Sequence, residues 1–118
     1  MNLTIQHHQP DPQTTVIQLS GKLLLGPGCQ QLEKLVDAEL SQGRQRLIFD
    51  LAGITHIDST GIGRFIDAFN RLHATGGKMT MRGAKGSVRE MFHITRLDTV
   101  LPFADTPDEA GKSGDSPS

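Results

Sequence analysis

Apolar residues at Leu32, Leu35, Val36 and Leu40 recur at three- and four-residue spacing, and so do Ile62, Phe65, Ile66, Phe69 and Leu72. That period places one face of a helix toward a core. Gly26-Pro27-Gly28 breaks the chain before the first stripe and Ser41-Gln42-Gly43 closes it, which predicts a helix over 28–41. The second stripe starts behind Asp58-Ser59, two residues whose side-chain oxygens cap helices, and stops at Gly76-Gly77. Between the stripes, Arg46-Leu47-Ile48-Phe49-Asp50-Leu51 is an apolar run of strand length, and Lys78-Met79-Thr80-Met81-Arg82 alternates as a half-buried strand does. Toward the N-terminus, Leu3 to Gln6 and Thr15 to Ser20 read as two strands of a hairpin parted by Pro10-Asp11-Pro12. After a turn at Gly83 to Gly86, Ser87 is placed to cap a short third helix carrying Val88, Met91 and Phe92. Val100-Leu101-Pro102-Phe103 then reads as an edge strand, where proline is tolerated.

An initial hairpin followed by alternating helices and strands predicts an α/β domain, with a mixed, mainly parallel central sheet and about three to four helices. The 118 residues, 36% of them hydrophobic, suit one domain, expected over 1–104. Residues 105–118 are rich in Pro, Gly, Ser and acids with no large apolar side chain, so they are expected to be an acidic tail without fixed structure. Cys29, the only cysteine, forms no internal disulfide, and neither a signal peptide nor an apolar run of membrane-spanning length is evident. A soluble, cytoplasmic protein with no direct membrane insertion is the expectation.

Net charge is −1, but its distribution is uneven. Residues 59–97 hold seven Lys or Arg against two acids, a net +5, whereas 98–118 carry a net −4. The basic stretch has few aromatics outside the apolar stripe, so it reads as a solvated face and not as a nucleic-acid surface; an acidic protein partner fits it better.

The candidate chemistry lies in His56-Ile57-Asp58-Ser59-Thr60-Gly61-Ile62-Gly63, where a strand passes into a helix. A helix N-terminus offers unpaired N–H groups and partial positive charge to an anion, or to a phosphate carried on a hydroxyl. From spacing alone Ser59 is a plain helix cap, and Asp58 either caps or orients an acceptor. Gly61 and Gly63 either admit a partner closely or let the helix pack tightly on the sheet. Other chemistries are incomplete. His7 and His8 are adjacent and point to opposite faces of a strand, so no metal is expected. Ile66 occupies the third glycine position of a dinucleotide fingerprint, and Thr106 the first glycine position of the loop that Gly111-Lys112-Ser113 imitates, so no cofactor is expected. Cys29 lies near a helix start that lowers a thiol pKa, yet a lone cysteine there is ordinarily inert. Asp50 has no evident His or acid partner for acid/base work, and no enzyme is expected.

Asp58-Ser59-Thr60-Gly61-Ile62-Gly63 followed by Phe65-Ile66-Asp67-Ala68-Phe69 resembles the STAS domains of bacterial anti-sigma factor antagonists. Ser20-Gly21-Lys22-Leu23, His73-Ala74-Thr75-Gly76-Gly77 and Arg89-Glu90-Met91-Phe92-His93-Ile94 resemble further elements of that family, so the likeness covers residues 3 to about 104. The resemblance implies a partner-switching regulator. An anti-sigma factor with serine kinase activity would phosphorylate Ser59, with Thr60 as the second hydroxyl, and a serine phosphatase would reset it. Unphosphorylated, the protein would bind the anti-sigma factor through Asp58, Ser59, Thr60, Gly61, Ile62, Gly63 and Arg64 and so free the sigma factor. One departure stands out: Leu24 occupies the place of an acidic residue found in most phosphorylatable members. It favours an alternative, a STAS accessory or scaffold module of a transporter or signalling complex that docks without phosphorylation.

Overall fold

In the computed structural model, which describes residues 3–104, the alternating segments are strands and the three- and four-spaced stripes are helices. The order is β1 (Thr4–Asp11), β2 (Thr14–Leu23), α1 (Pro27–Ser41), β3 (Arg46–Ile57), α2 (Ser59–Ala74), β4 (Lys78–Arg82), α3 (Gly86–Ile94), a 3-10 turn (Leu97–Thr99) and β5 (Phe103–Ala104). The expected tail at 105–118, with Gly111-Lys112-Ser113, lies outside the described residues. The five strands form one sheet in the order β1-β2-β3-β4-β5; β1 runs antiparallel to β2, and every other pair is parallel. The expected α/β class, N-terminal hairpin and mainly parallel sheet are all present, with three helices.

The three helices share a single core with one face of the sheet. Ile17, Leu19, Leu47, Phe49, Leu51, Met79 and Met81 face it from the strands, and Leu32, Val36, Phe65, Leu72, Val88 and Phe92 from the helices. Alternate strand residues such as Gln18, Asp50 and Thr80 point the other way. Aromatic contacts tie the layers: Phe65 of α2 meets Phe49 of β3 edge-on with ring centroids 5.2 Å apart. Phe92 of α3 lies 6.1 Å from Phe65 and 5.1 Å from Phe103 of β5.

β3 is twice as long as its apolar run suggests. Gln18 and Ser20 of β2 pair with Asp50 and Gly53, and Gly21 and Lys22 pair with Ile54 and His56, so β3 holds one extra residue at each of two bulges. Each bulge shifts the alternation by one, and Leu51, Ile54 and Ile57, three apart, all face the core. Asp50 Oδ1 accepts the Ala52 N–H at 3.0 Å at the first bulge, and the Thr55 hydroxyl donates to Gly21 O at 3.1 Å at the second.

Three local expectations are corrected. Pro10-Asp11-Pro12 is not the hairpin turn: β1 runs through Pro10 to Asp11, because an edge strand needs no N–H on its outer side, and the Asp11 carboxylate closes the turn by accepting the Gln13 N–H. Ser87 does not cap α3; the cap position is Lys85, without a side-chain bond, and Ser87 lies inside the helix. Among the described residues the last strand is Phe103–Ala104 and starts later than expected, since Leu101 turns into the core at the end of the 3-10 turn and leaves Val100 exposed.

Two outcomes follow from this packing. Phe65→Ala removes the ring that both Phe49 and Phe92 touch, and chemical denaturation is expected to show a loss of about 3–5 kcal/mol. At the C-terminus of α3, His93 Nδ1 lies 3.0 Å from Asp98 Oδ2, and this contact holds the imidazole pKa above its usual value. A raised histidine pKa contributes stability that is full below about pH 6.5 and lost as pH rises through the folded-state value. In an NMR titration His93 is expected to have a midpoint above 6.5, and Asp98→Asn to bring it back to the ordinary value.

Candidate functional site

Because β2, β3 and β4 are parallel, the loops after them and the N-termini of α1, α2 and α3 gather at one edge of the sheet. Asp58 stands at the centre of that edge. It is the N-cap of α2, with extended backbone (φ −119°, ψ −175°), and its Oδ1 accepts the Gly61 N–H at 2.9 Å. Its Oδ2 accepts the Leu25 N–H, also at 2.9 Å, from the loop between β2 and α1. One carboxylate therefore closes a helix and pins a second loop beside it. The Leu25 N–H and then the Gly61 N–H hold the Asp58 pKa below the usual carboxylate value, so both bonds are charge-assisted at neutral pH.

With Asp58 as the cap, Ser59 becomes the first helical residue. It is exposed, and its hydroxyl makes no hydrogen bond among the described residues. Thr60 beside it is half-buried. The two glycines part company. A Cβ on Gly61 would come within 2.5 Å of Leu23 O and 2.9 Å of Leu23 Cγ, so Gly61 brings α2 against the end of β2. A Cβ on Gly63 would meet nothing within 4 Å. Ile62 is only 6% exposed and belongs to the core. Arg64 lies in the second turn, where its Nη1 reaches Glu33 Oε2 of α1 at 3.0 Å.

The loop that Asp58 pins is apolar and open: Leu24 is 37% exposed and Leu25 78%. Gly26 follows with φ +139°, a conformation that favours glycine, and Pro27 begins α1. No helix at this edge has an acidic residue in its first turn. Half-buried Lys22 pairs with exposed His56 where β2 runs beside the end of β3, and exposed Lys85 stands at the N-cap of α3 on the same edge.

The remaining candidates resolve into structural roles. Burial and the nearby Asp58 charge raise the Cys29 pKa, so the thiol does not act as a reactive thiolate. Asp50 closes a bulge and lies 3.8 Å from Arg82. Among the described residues, no three His, Cys, Asp or Glu side chains cluster as a metal site requires, and no helix is long and apolar enough to cross a membrane. Sequence reasoning missed Leu25: it lies outside either helical stripe, and only the Asp58 bond brings it to the site.

A family model described as the STAS domain matches residues 4–110. The chain belongs to the STAS domain family. An anti-sigma-B factor antagonist of Listeria monocytogenes is 25% identical over 109 residues, covering 92% of this chain and 95% of that protein. Among solved structures with this STAS fold, the unphosphorylated anti-sigma factor antagonist SpoIIAA matches with a TM-score of 0.72 at 20% identity, covering 92% of this chain and 94% of that one. SpoIIAA of Bacillus in its phosphorylated form matches at 0.70 and 21%, covering 86% and 92%. An anti-sigma factor antagonist from Mycobacterium paratuberculosis matches at 0.76 and 23%, covering 92% and 91%.

The glycine geometry separates two variants of this STAS domain. Gly61→Ala drives a methyl group into a backbone oxygen and is expected to destabilise by about 1–3 kcal/mol. Gly63→Ala enters open space in a helix and is expected to be neutral or to stabilise by up to about 1 kcal/mol. Parallel denaturation curves of the two variants check the difference.

Proposed function

We propose that this STAS domain is an anti-sigma factor antagonist: a cytoplasmic binding module that takes up an anti-sigma factor, frees the sigma factor and is switched off by phosphorylation of Ser59. The observation that carries this reading is the exposed Ser59 hydroxyl, unengaged among the described residues, directly behind the Asp58 cap. The relatives named as anti-sigma factor antagonists support it. In the switch, the Ser59 oxygen attacks the γ-phosphorus of ATP held by the anti-sigma factor. The new O–P bond forms as the bond to ADP breaks, and the hydroxyl proton passes to a base on the kinase. A phosphatase hydrolyses the ester and restores the hydroxyl.

Ser59, Thr60, Gly63 and Arg64 form the partner-facing set, with Asp58 holding their helix in place and Gly61 and Ile62 seating it on the sheet. A phosphate on Ser59 adds about −1.5 to −2 charges at a helix N-terminus that tolerates it, so the fold survives while an acidic partner is repelled. The exposed Leu24 supports a second reading, in which the module docks constitutively within a transporter or signalling assembly.

Incubation with the host's purified anti-sigma factor kinases and ATP separates the two. Intact-mass analysis and peptide mapping are expected to show one phosphate on Ser59, lost in Ser59→Ala. Ser59→Asp is expected to weaken anti-sigma factor binding by about tenfold or more, equivalent to about 1.4 kcal/mol. No label on Ser59 or Thr60, together with unchanged binding of Ser59→Asp, removes the switch and leaves the constitutive module.

A further inference from the structure

Four large apolar side chains are notably exposed among the described residues, and they fall at opposite edges of the sheet. Ile94 and Val100 lie where α3 ends and the chain returns toward the start of β5. Leu24 and Leu25 lie at the other edge, beside Ser59, where the helices begin. Leu25 is the most exposed of the four at 78%, yet it is not a slack loop residue. Its N–H is held by Asp58 Oδ2 at 2.9 Å, and Pro27, at the start of α1, locks its own φ and restricts Gly26 before it. With its N–H held, Leu25 has less backbone freedom left to lose when a partner covers it, which favours its use as an energetic anchor.

The surroundings specify what covers it. Three helix N-termini point to this edge without an acidic first-turn residue, and Lys22 and Lys85 add positive charge. The Asp58 carboxylate is the acid at the centre, and both its oxygens are engaged by backbone N–H groups. Arg64 is matched by Glu33. An apolar knob in an electropositive frame is complementary to an apolar socket with an acidic rim.

We infer that Leu25, with Leu24 beside it, is the anchor by which this domain docks into an acid-rimmed apolar socket on its anti-sigma factor, with Lys22 and Lys85 framing the contact. This inference rests on the antagonist reading above and adds to it the residues that select the partner. The apolar Leu24 then belongs to the docking surface: a partner matched to this chain presents an apolar surface to that position.

Calorimetric titration of the wild-type protein into each purified anti-sigma factor kinase of the native host, with ADP so that no phosphoryl group is transferred, tests it. The wild type is expected to bind one of them, and Leu25→Ser to bind that kinase about tenfold or more weakly at an unchanged melting temperature. Leu25→Met, which keeps the apolar bulk, is expected to stay within about threefold, and Val100→Ser, an exposed apolar control at the far edge, within about twofold. Lys22→Glu and Lys85→Glu are expected to weaken binding most at low salt. Leu25→Ser binding within about twofold of wild type, or Leu25→Met losing as much as Leu25→Ser, overturns the anchor while leaving the antagonist reading intact if Ser59→Asp still weakens binding. A wild-type protein that binds none of the kinases overturns both.

Discussion

The pairing of β2 with β3 governs where everything else lies. A strictly alternating β3 would turn Ile54 to the face opposite Leu51, and the strand would have to end where its apolar run ends. Two extra residues absorb the mismatch, so Leu51, Ile54 and Ile57 all reach the core and β3 stays paired with β2 as far as Leu23 and Ile57. Its cost in unpaired backbone is offset locally: the Asp50 carboxylate takes the Ala52 N–H, and the Thr55 hydroxyl reaches Gly21 O. The consequence is positional. Only a β3 of this length brings Asp58 level with the loop leaving β2, and only there does one carboxylate hold both Leu25 and Gly61.

The packing of α2 follows from the same alignment. Asp58 N–H points to Leu23 O at 3.4 Å, and Gly61 then passes Leu23 so closely that any side chain on it would strike the strand. Gly61 and Ile62 are fixed by the fold, whereas Ser59 and Gly63 meet solvent or open space. The short stretch that looks uniform as sequence divides along the helical turn into residues that hold α2 down and residues left open to solvent.

The first two helices were legible in sequence because their apolar spacing is long and regular; α1 has the predicted extent to within a residue, and α2 starts at Ser59 and ends two residues before Gly76. The second half of β3 was not, since Ala52-Gly53 and Thr55-His56 carry the pattern of a loop until the pairing with β2 is known. The hairpin turn was misplaced because Pro10 looks like a breaker, and its tolerance depends on β1 being an edge, a property of topology and not of local sequence. At the site, the importance of Asp58 and Ser59 was visible from capping chemistry, but not which of them caps. The backbone settles it for Asp58, and that assignment leaves Ser59 without an internal hydrogen-bonding duty among the described residues. The role of Leu25 depends on a contact 33 residues away in sequence, beyond the reach of periodicity.

Under the proposed reading, the position of Ser59 makes phosphorylation an electrostatic reversal and not a structural one. Unmodified, this edge combines three helix N-termini with Lys22 and Lys85, while the Asp58 carboxylate is already engaged by backbone donors and Glu33 is paired with Arg64. A phosphate would place about −2 charges on the residue next to that carboxylate, enough to cancel both lysines. Like charges about 4 Å apart cost from about 1 kcal/mol in water to about 4 kcal/mol near a protein surface, so two contacts with an acidic rim suffice to lower affinity by more than tenfold. The core has no part in this balance, because Ser59 is exposed and Phe65, the nearest aromatic of the helix, lies more than a turn further along on the buried face. An apolar anchor is indifferent to the added charge. Leu25 would therefore set the strength of docking and Ser59 its sign, with Asp58 holding the two side by side.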